Sequence, residues 1–185
     1  MHIFSDFSIN YYDNSDLAEL YRSQGKYEEA ESLFQRSLGI IETKLGKDHP
    51  HVARTLNNMA SGLYRGKYEA ETLYKRSLGI YEKILGKDHP SVATTLNNLA
   101  GWYYRSQGKC EEAETLYKRC LGIRETRLGK NHQDVAQTLN NLADLYWSQG
   151  RYEKAKPLIE RSLKIIENIF GKDHPKYITV MNKYS

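Results

Sequence analysis

Histidines recur at nearly constant spacing along the chain and are the first residues to consider for metal chemistry: His49, His89, His132 and His174. A Zn²⁺ ion holds imidazole nitrogens at about 2 Å. Histidines that recur once per helical repeat lie on the order of 10 Å apart, the distance between packed helices. They cannot share one ion, so we predict neither a metal site nor a cofactor, and we interpret each histidine as a residue at a helix N-terminus.

The two cysteines, Cys110 and Cys120, are the candidates for disulfide or nucleophilic chemistry. Ten residues of helix would separate them by about 15 Å along the axis, which excludes a mutual disulfide. A catalytic cysteine needs a base beside it, and the sequence indicates none. Cys120 stands where the other repeats have a serine, so we expect it at a small position where helices pack closely: Ser37, Ser77 and Ser162.

Carboxylates occur in the adjacent pairs Glu28-Glu29 and Glu111-Glu112, at the same place in two repeats. Negative charge in the first turn of a helix is favoured by the helix dipole, which accounts for both pairs. The sequence contains neither a glycine-rich phosphate loop nor a nucleophile elbow. We therefore predict no catalytic residues and a protein that is not an enzyme.

Asparagines give the strongest indication of a binding surface. The string TLNN occurs three times, and its second asparagine lies opposite the apolar stripe of a predicted helix at Asn58, Asn98 and Asn141. Asparagine is a mediocre helix former, but its amide matches the C=O and N–H of an extended backbone. We predict a peptide-binding face that also includes Arg54, Gln137, Asp144 and Lys183. The alternative is a hydrogen-bond ladder between repeats, above all for Asn57, Asn97 and Asn140.

Two tryptophans interrupt the repeat and are further candidates for ligand contact. The other repeats have a residue other than tryptophan at the positions of Trp102 and Trp147. Most repeated tyrosines, in contrast, fall on the apolar stripes and are expected in the core with their hydroxyls near the surface: Tyr21, Tyr74, Tyr117 and Tyr146.

The elements that position these residues follow from the internal repeat. Successive glycines lie 41, 42 and 42 residues apart: Gly25, Gly66, Gly108 and Gly150. Each repeat contains two amphipathic stripes with helical spacing, which we call helix A and helix B. The string LGKDHP between repeats predicts a helix stop at glycine in the left-handed conformation, an aspartate cap and a proline in the next first turn. The glycines are Gly46, Gly86, Gly129 and Gly171, and the capping aspartates are Asp48, Asp88 and Asp173.

Two repeats depart from this pattern near the end of helix A. Residues 60–64 and 100–104 contain one residue more than residues 143–146. A π-bulge can absorb such a residue inside a helix, and we expect one there. The first helix A, over residues 10–23, is weakly patterned, and residues 177–184 form a half repeat that we expect to cap the array.

The pattern L-N-N-L-A-x-L-Y-x-x-Q-G-x-Y-E-x-A-x-x-L, followed by L-G-K-D-H-P, resembles the tetratricopeptide repeat, in the 42-residue version of kinesin light chains and many bacterial proteins. The resemblance covers roughly residues 15–185. It implies an all-α, right-handed superhelical solenoid of about four helix pairs and a terminal helix, with helix A lining a concave groove. By this likeness Asn58, Asn98 and Asn141 would hold peptide. We expect one array with units at about 10–46, 47–86, 87–129 and 130–171 and a terminal helix over 172–185.

Composition excludes several classes of function. The 185 residues carry 27 basic and 23 acidic side chains, with no basic block, so we predict no nucleic-acid partner. No apolar run reaches the roughly 18 residues that a membrane span needs, and the N-terminus lacks a basic leader region. We expect a cytoplasmic protein that binds a protein or peptide and not a membrane. The alternatives are a structural element that self-associates as a homo-oligomer, through its ends or outer surface, and a fragment of a larger protein.

Overall fold

The computed structural model describes residues 16–62 and 69–184, and all regular structure in these ranges is helical. The helices are α1 (residues 16–23), α2 (Tyr27–Leu45), α3 (Pro50–Gly62), α4 (Glu69–Leu85), α5 (Pro90–Trp102), α6 (Cys110–Leu128), α7 (Gln133–Ser148), α8 (Tyr152–Phe170) and α9 (Pro175–Tyr184). The predicted all-α class is confirmed. The chain divides after Lys87 into two compact units, which are described separately.

In the first unit, α3 packs against both α2 and α4. Phe34, Met59 and Ala18 form a buried cluster between the helices. The hydroxyl of Ser77 on α4 donates to the Ala53 carbonyl oxygen of α3 at 2.7 Å. Such a bond requires a small residue, because the side chain reaches directly to the backbone of the neighbouring helix.

The second unit is a succession in which each helix from α5 to α9 packs against the next. Its fully buried side chains include Leu96, Tyr117 and Leu139, one from each of three consecutive helices. Ser162 on α8 repeats the serine contact and donates to the Ala136 carbonyl oxygen at 3.0 Å. Cys120, at the same repeat position on α6, is fully buried, as predicted. The apolar stripes of the sequence therefore form the core of this unit.

The helix N-termini correct one sequence expectation. His89 caps α5, with its Nδ1 accepting from the Ser91 backbone N–H at 3.1 Å. His49, His132 and His174 accept in the same way from the backbone two residues on. The expected cap by Asp48, Asp88 and Asp173 is therefore wrong. At α3, α5 and α9 the first helical residue is a proline without an N–H, so the first N–H that needs a partner lies two residues beyond the histidine. The same bond forms at α7, where the first helical residue is Gln133.

The helix C-termini confirm a positive φ but not the expected conformation. Gly129 ends α6 at φ 88° and ψ 152°, and Gly46 and Gly171 are similar. A left-handed helical residue would have ψ near +45°. The observed combination lies in a region essentially restricted to glycine, so the demand for glycine is stronger than predicted.

The third repeat contains the expected π-helical insertion. Residues Tyr103–Gln107 form a π-helical turn at the end of α5, and Gly108 follows at φ 63° and ψ 15°. The backbone N–H of Lys109 donates to the Tyr103 carbonyl oxygen at 3.0 Å and closes the turn. The corresponding insertion at residues 63–64 lies outside the described residues.

Three glycines inside helices provide a prediction about stability. Gly39, Gly79 and Gly122 are exposed, and a Cβ at any of them would meet no atom within 4 Å. The fourth repeat has Lys164 at this position. Because glycine costs roughly 0.5–1 kcal/mol relative to alanine in a helix, the triple alanine variant should gain about 1.5–3 kcal/mol. Urea unfolding measures this, and an unchanged or lower midpoint would contradict it.

Candidate functional site

Helices α5, α7 and α9 carry four of the predicted site residues in the second unit. Asn98 on α5 and Asn141 and Asp144 on α7 are half-buried, and Lys183 on α9 is exposed. Asp144 and Lys183 form an ion pair between α7 and α9. We call these four residues the polar strip. Each lies on a first helix of a repeat, with the apolar stripe of that helix packed in the core.

One rung of a hydrogen-bond ladder joins α5 to α7. The Asn141 side-chain N–H donates to the Asn97 Oδ1 at 3.0 Å, and Asn97 is only 8% exposed. The bond runs from the second asparagine of one repeat to the first asparagine of the repeat before it. It occupies one donor of Asn141, and within the described part of the chain the rest of that amide forms no other hydrogen bond. Asn141 can therefore serve the ladder and still meet a ligand.

The Asp144 carboxylate has two partners on α9. It accepts from the Lys183 ammonium and from the Tyr184 hydroxyl. Burial, together with the hydrogen bond to Asp144, raises the pKa of Tyr184. The carboxylate is thus held against α9 with its charge compensated, and a ligand would meet a dipolar surface here instead of a net negative charge.

Gln137 lies apart from the polar strip and contacts α6. Its Oε1 accepts from the Arg124 Nη1 at 3.1 Å. The same Nη1 donates to the Asp134 carbonyl oxygen at 2.7 Å and to the Thr138 hydroxyl at 2.8 Å. Arg124 is 4% exposed and was not among the predicted site residues. Its signal was present, because the other repeats have Ile41, Tyr81 and Ile166 at this position.

In the first unit, α3 carries the two remaining site residues, Arg54 and Asn58. Arg54 is exposed and Asn58 is half-buried. Burial lowers the pKa of His51, and the positive charge of Arg54 lowers it further. The first unit therefore contributes one cation, Arg54, and one amide, Asn58, to the predicted peptide-binding face.

The two tryptophans differ. Trp102, the last residue of α5, is 4% exposed. Its predicted ligand contact is therefore wrong, because the side chain is packed inside the unit. Trp147 is 38% exposed and contacts the rings of Tyr152 and Tyr184 edge to face, with centroids 4.8 and 5.1 Å apart. It extends the polar strip at its α9 end with an aromatic surface.

The described residues contain no group of three or more histidine, cysteine, aspartate or glutamate side chains that could hold a metal ion. Cys110 is half-buried, and burial raises the pKa of the Cys120 thiol, which opposes formation of a nucleophilic thiolate. No helix in the described ranges is sufficiently long and apolar to span a bilayer.

Glu114 on α6 is the centre of a charged cluster and was also not among the predicted site residues. Its carboxylate pairs with Lys118 at 2.6 Å and with Arg151 at 2.9 Å, and it accepts from the Tyr146 hydroxyl at 2.9 Å. Burial favours a higher pKa, but the three hydrogen bonds outweigh it and lower the pKa of Glu114 to about 2. The cluster connects α6 to α7 and to the turn before α8.

Replacing Glu114 with glutamine should destabilise the protein by about 2 kcal/mol at pH 7, because the lowered pKa represents stability linked to the charged form. That contribution is complete above the unfolded pKa near 4.5 and is lost as the pH falls toward 2. Urea unfolding at pH 7 and pH 3 should therefore show a smaller difference between wild type and variant at pH 3. The control Glu111→Gln, at an exposed position, should change stability by less than about 0.5 kcal/mol. An equal deficit at both pH values would contradict the ionic role.

Comparison with known proteins gives a family model and solved structures. A model described as tetratricopeptide repeat matches residues 10–70, 63–126, 103–165 and 134–185. BtubC (BKLC) from P. vanneervenii is 29% identical, with a TM-score of 0.80 over 91% of this chain and 68% of that one. No curated protein matches the chain.

Two more distant structures share the fold. A putative kinesin light chain of Podosopora anserina with nearly identical TPR-like repeats is 23% identical, with a TM-score of 0.79 over 98% of this chain and 85% of that one. A Rap protein complexed with competence and sporulation factor is 18% identical, with a TM-score of 0.50 over 95% of this chain and 57% of that one.

Proposed function

Because the chain belongs to the tetratricopeptide repeat family, whose members generally mediate protein–protein interaction, we propose that it is a non-catalytic module that binds an extended segment of a partner protein. The polar strip of the second unit would hold the segment. Asn98 and Asn141 would pair with its backbone, and Trp147 would contact one of its side chains.

The half-buried amides on successive first helices carry this proposal. First helices of neighbouring repeats lie roughly 10 Å apart, and an extended chain rises about 3.3 Å per residue. Asn98 and Asn141 can therefore meet every third residue of one strand. Within the described residues, the bond to Asn97 takes one donor of Asn141 and leaves its carbonyl oxygen and second N–H for the ligand.

The Rap protein adds support through the fold it shares with this chain. Its structure is a complex with competence and sporulation factor, so a protein of this fold holds a partner. The extension to this chain rests on the polar strip, because a fold by itself does not specify a ligand.

The test begins with a peptide selected on the protein from a random library. Replacing Asn98 with alanine should raise the dissociation constant of that peptide by roughly 5- to 150-fold, equivalent to about 1–3 kcal/mol for unpaired backbone groups. Calorimetric titration measures the affinity. Thermal unfolding records any loss of stability separately, because Asn98 is half-buried and already has an interaction within the protein.

Asn97→Ala is the matched control. It removes the buried acceptor of Asn141, so it should lower stability by about 1–3 kcal/mol with a smaller effect on peptide affinity. If Asn98→Ala loses stability and keeps full affinity, Asn98 belongs to the ladder and the proposed backbone contact is wrong.

Self-association is the second candidate, and an exposed apolar face favours it. On α9, Ile178 and Met181 are 45% and 40% exposed, which would suit contact with a second copy. Sedimentation velocity at several concentrations tests this. If the protein sediments as a monomer at all concentrations, self-association is rejected. A dimer that the Met181→Lys substitution dissociates would support it.

A further inference from the structure

We propose that the second unit contains a pocket for the side chain of an arginine supplied by the partner segment, in the cavity between α7, α8 and α9. This inference rests on the proposed function for the source of the arginine but names a separate site and chemistry. The cavity has a volume of about 460 Å³, and residues from all three helices line it.

The chain provides its own example of what occupies this space. At the interface of α6 and α7 the equivalent position is taken by the buried Arg124, whose Nη1 contacts the Asp134 carbonyl, Gln137 and Thr138. One repeat later these four positions hold Ile166, Lys176, Thr179 and Val180. All four line the cavity. Isoleucine is too short to fill the volume that arginine fills in the preceding repeat, which leaves the space open.

Asn140 lines the cavity and carries an acceptor without a partner. Its Oδ1 is buried and has no hydrogen-bond partner among the described residues. The equivalent oxygen of Asn97 accepts from Asn141. The residue that would donate to Asn140 stands at position 183, where a lysine pairs with Asp144 instead. A buried acceptor without a partner costs free energy, so a donor that enters the cavity gains from satisfying it once the Asn140 amide turns toward the cavity.

The rest of the wall fits an arginine better than another donor. Asp134 brings a carboxylate with a side chain 40% exposed, which favours a cation. Ile166, Phe170 and Val180 line the cavity and can cover the aliphatic stem of the incoming side chain. The planar guanidinium can also reach several acceptors at once, whereas an ammonium acts as a compact point charge.

Arg124 shows that neutral oxygens suffice for a guanidinium in this protein. Among the described residues no carboxylate lies within ion-pair distance of it, yet the side chain is 4% exposed. The cavity offers both a neutral acceptor at Asn140 and the Asp134 charge. Two positive charges oppose cation binding here. The Lys176 Nζ is 4.9 Å from the Phe170 ring centroid, and Arg124 contacts the lining residues Asp134 and Gln137, so affinity depends on the acceptors.

The test uses N-acetylarginine amide as a probe, followed by nuclear magnetic resonance of the backbone amides. We expect saturable shifts confined to residues of α7, α8 and α9 around the cavity, with a dissociation constant on the order of millimolar for so small a ligand. N-acetylcitrulline amide has nearly the same shape but no charge and should bind at least tenfold more weakly. Equal binding of the two, or shifts elsewhere only, would overturn the proposal.

Two variants complete the test. Ile166→Arg places the side chain of Arg124 in the cavity from within and should abolish probe binding. Asn140→Leu removes the unused acceptor without adding a charge and should weaken the probe at least fivefold, which keeps the test decisive if the first variant does not fold. Glu153→Gln, exposed at the start of α8, is the control and should bind the probe like wild type. Unchanged binding by Asn140→Leu would also overturn the pocket.

The outcomes also separate this inference from the proposed function. Asn98→Ala should weaken the library-selected peptide while leaving N-acetylarginine amide unaffected, because α5 does not line the cavity. If the peptide depends on Asn98 but the arginine probe does not bind, only the pocket is rejected. If the probe binds at the cavity but no peptide depends on Asn98, the pocket stands and the polar strip is rejected.

Discussion

Replacing Tyr117 with alanine is expected to lower the free energy of unfolding by about 3–5 kcal/mol, as for other large aromatic side chains removed from a core. Tyr117 is 1% exposed and lies on α6, between α5 and α7. Its burial raises the pKa of its hydroxyl to about 12. Chemical denaturation followed by far-ultraviolet circular dichroism measures the loss, which should appear as a lower midpoint with an unchanged slope.

Tyr117→Phe separates the ring from the hydroxyl. In the second repeat the Tyr74 hydroxyl lies 2.9 Å from the Ser61 Oγ, but the third repeat has Gly101 at the position of Ser61. The Tyr117 hydroxyl lacks that partner, so its removal should cost less than about 1 kcal/mol. A loss from phenylalanine close to the loss from alanine would show that the hydroxyl, and not the ring, stabilises the unit.

Replacing Ser162 with leucine should cost about 3 kcal/mol, because three added carbons must fit where α8 touches the backbone of α7. Ser162 is fully buried, and its hydroxyl donates to the Ala136 carbonyl oxygen. The substitution removes this bond and forces the two helices apart. Thermal unfolding would show the effect as a markedly lower midpoint temperature.

The chain itself supplies the control for Ser162. Cys120 stands at this position in the third repeat, where its Sγ lies 3.5 Å from the Thr138 Oγ1. Ser162→Cys should therefore cost about 1 kcal/mol or less. If leucine is tolerated as well as cysteine, the helices can separate without loss, and the small position is not required for close packing.

The helix pairs could be predicted because local signals and apolar spacing agree. The apolar stripes that contain Leu96 in one repeat and Leu139 in the next both have helical spacing, and glycine and proline mark the helix boundaries. The π-helical turn was predictable for the same reason: an extra residue between two fixed points, the TLNN string and the loop glycine, must be absorbed somewhere. The family matches confirm the predicted tetratricopeptide fold class.

The capping residue could not be predicted from propensity. Aspartate ranks among the best N-caps and histidine does not, so Asp88 was the expected residue. The structure instead places His89 at the cap. Which residue caps the helix depends on which backbone N–H groups lack a partner after Pro90, and on whether an imidazole can reach them. Residue frequencies at helix ends show neither.

The sequence predicted which helix face carries the candidate site residues, but not the hydrogen bonds that those residues form. Helical spacing predicts that Asn141 lies opposite the core, and in the structure it is half-buried. It does not show that Asn141 donates diagonally to Asn97, because that bond depends on the separation and stagger of α5 and α7. Arg124 was missed since apolar periodicity identifies the buried side of a helix and does not anticipate a charged residue satisfied by backbone and amide oxygens.

The π-helical turn at Tyr103–Gln107 has a consequence for how the gene of such an array can change. One codon inserted into an ordinary helix rotates all later side chains by about 100° and moves the apolar stripe out of the core. Here the wide turn takes up the extra residue before Gly108, so α6 starts in register with its neighbours. In-frame gains or losses of one codon at this point should be selectively mild. The same point would accept a single encoded label without disturbing the repeats on either side.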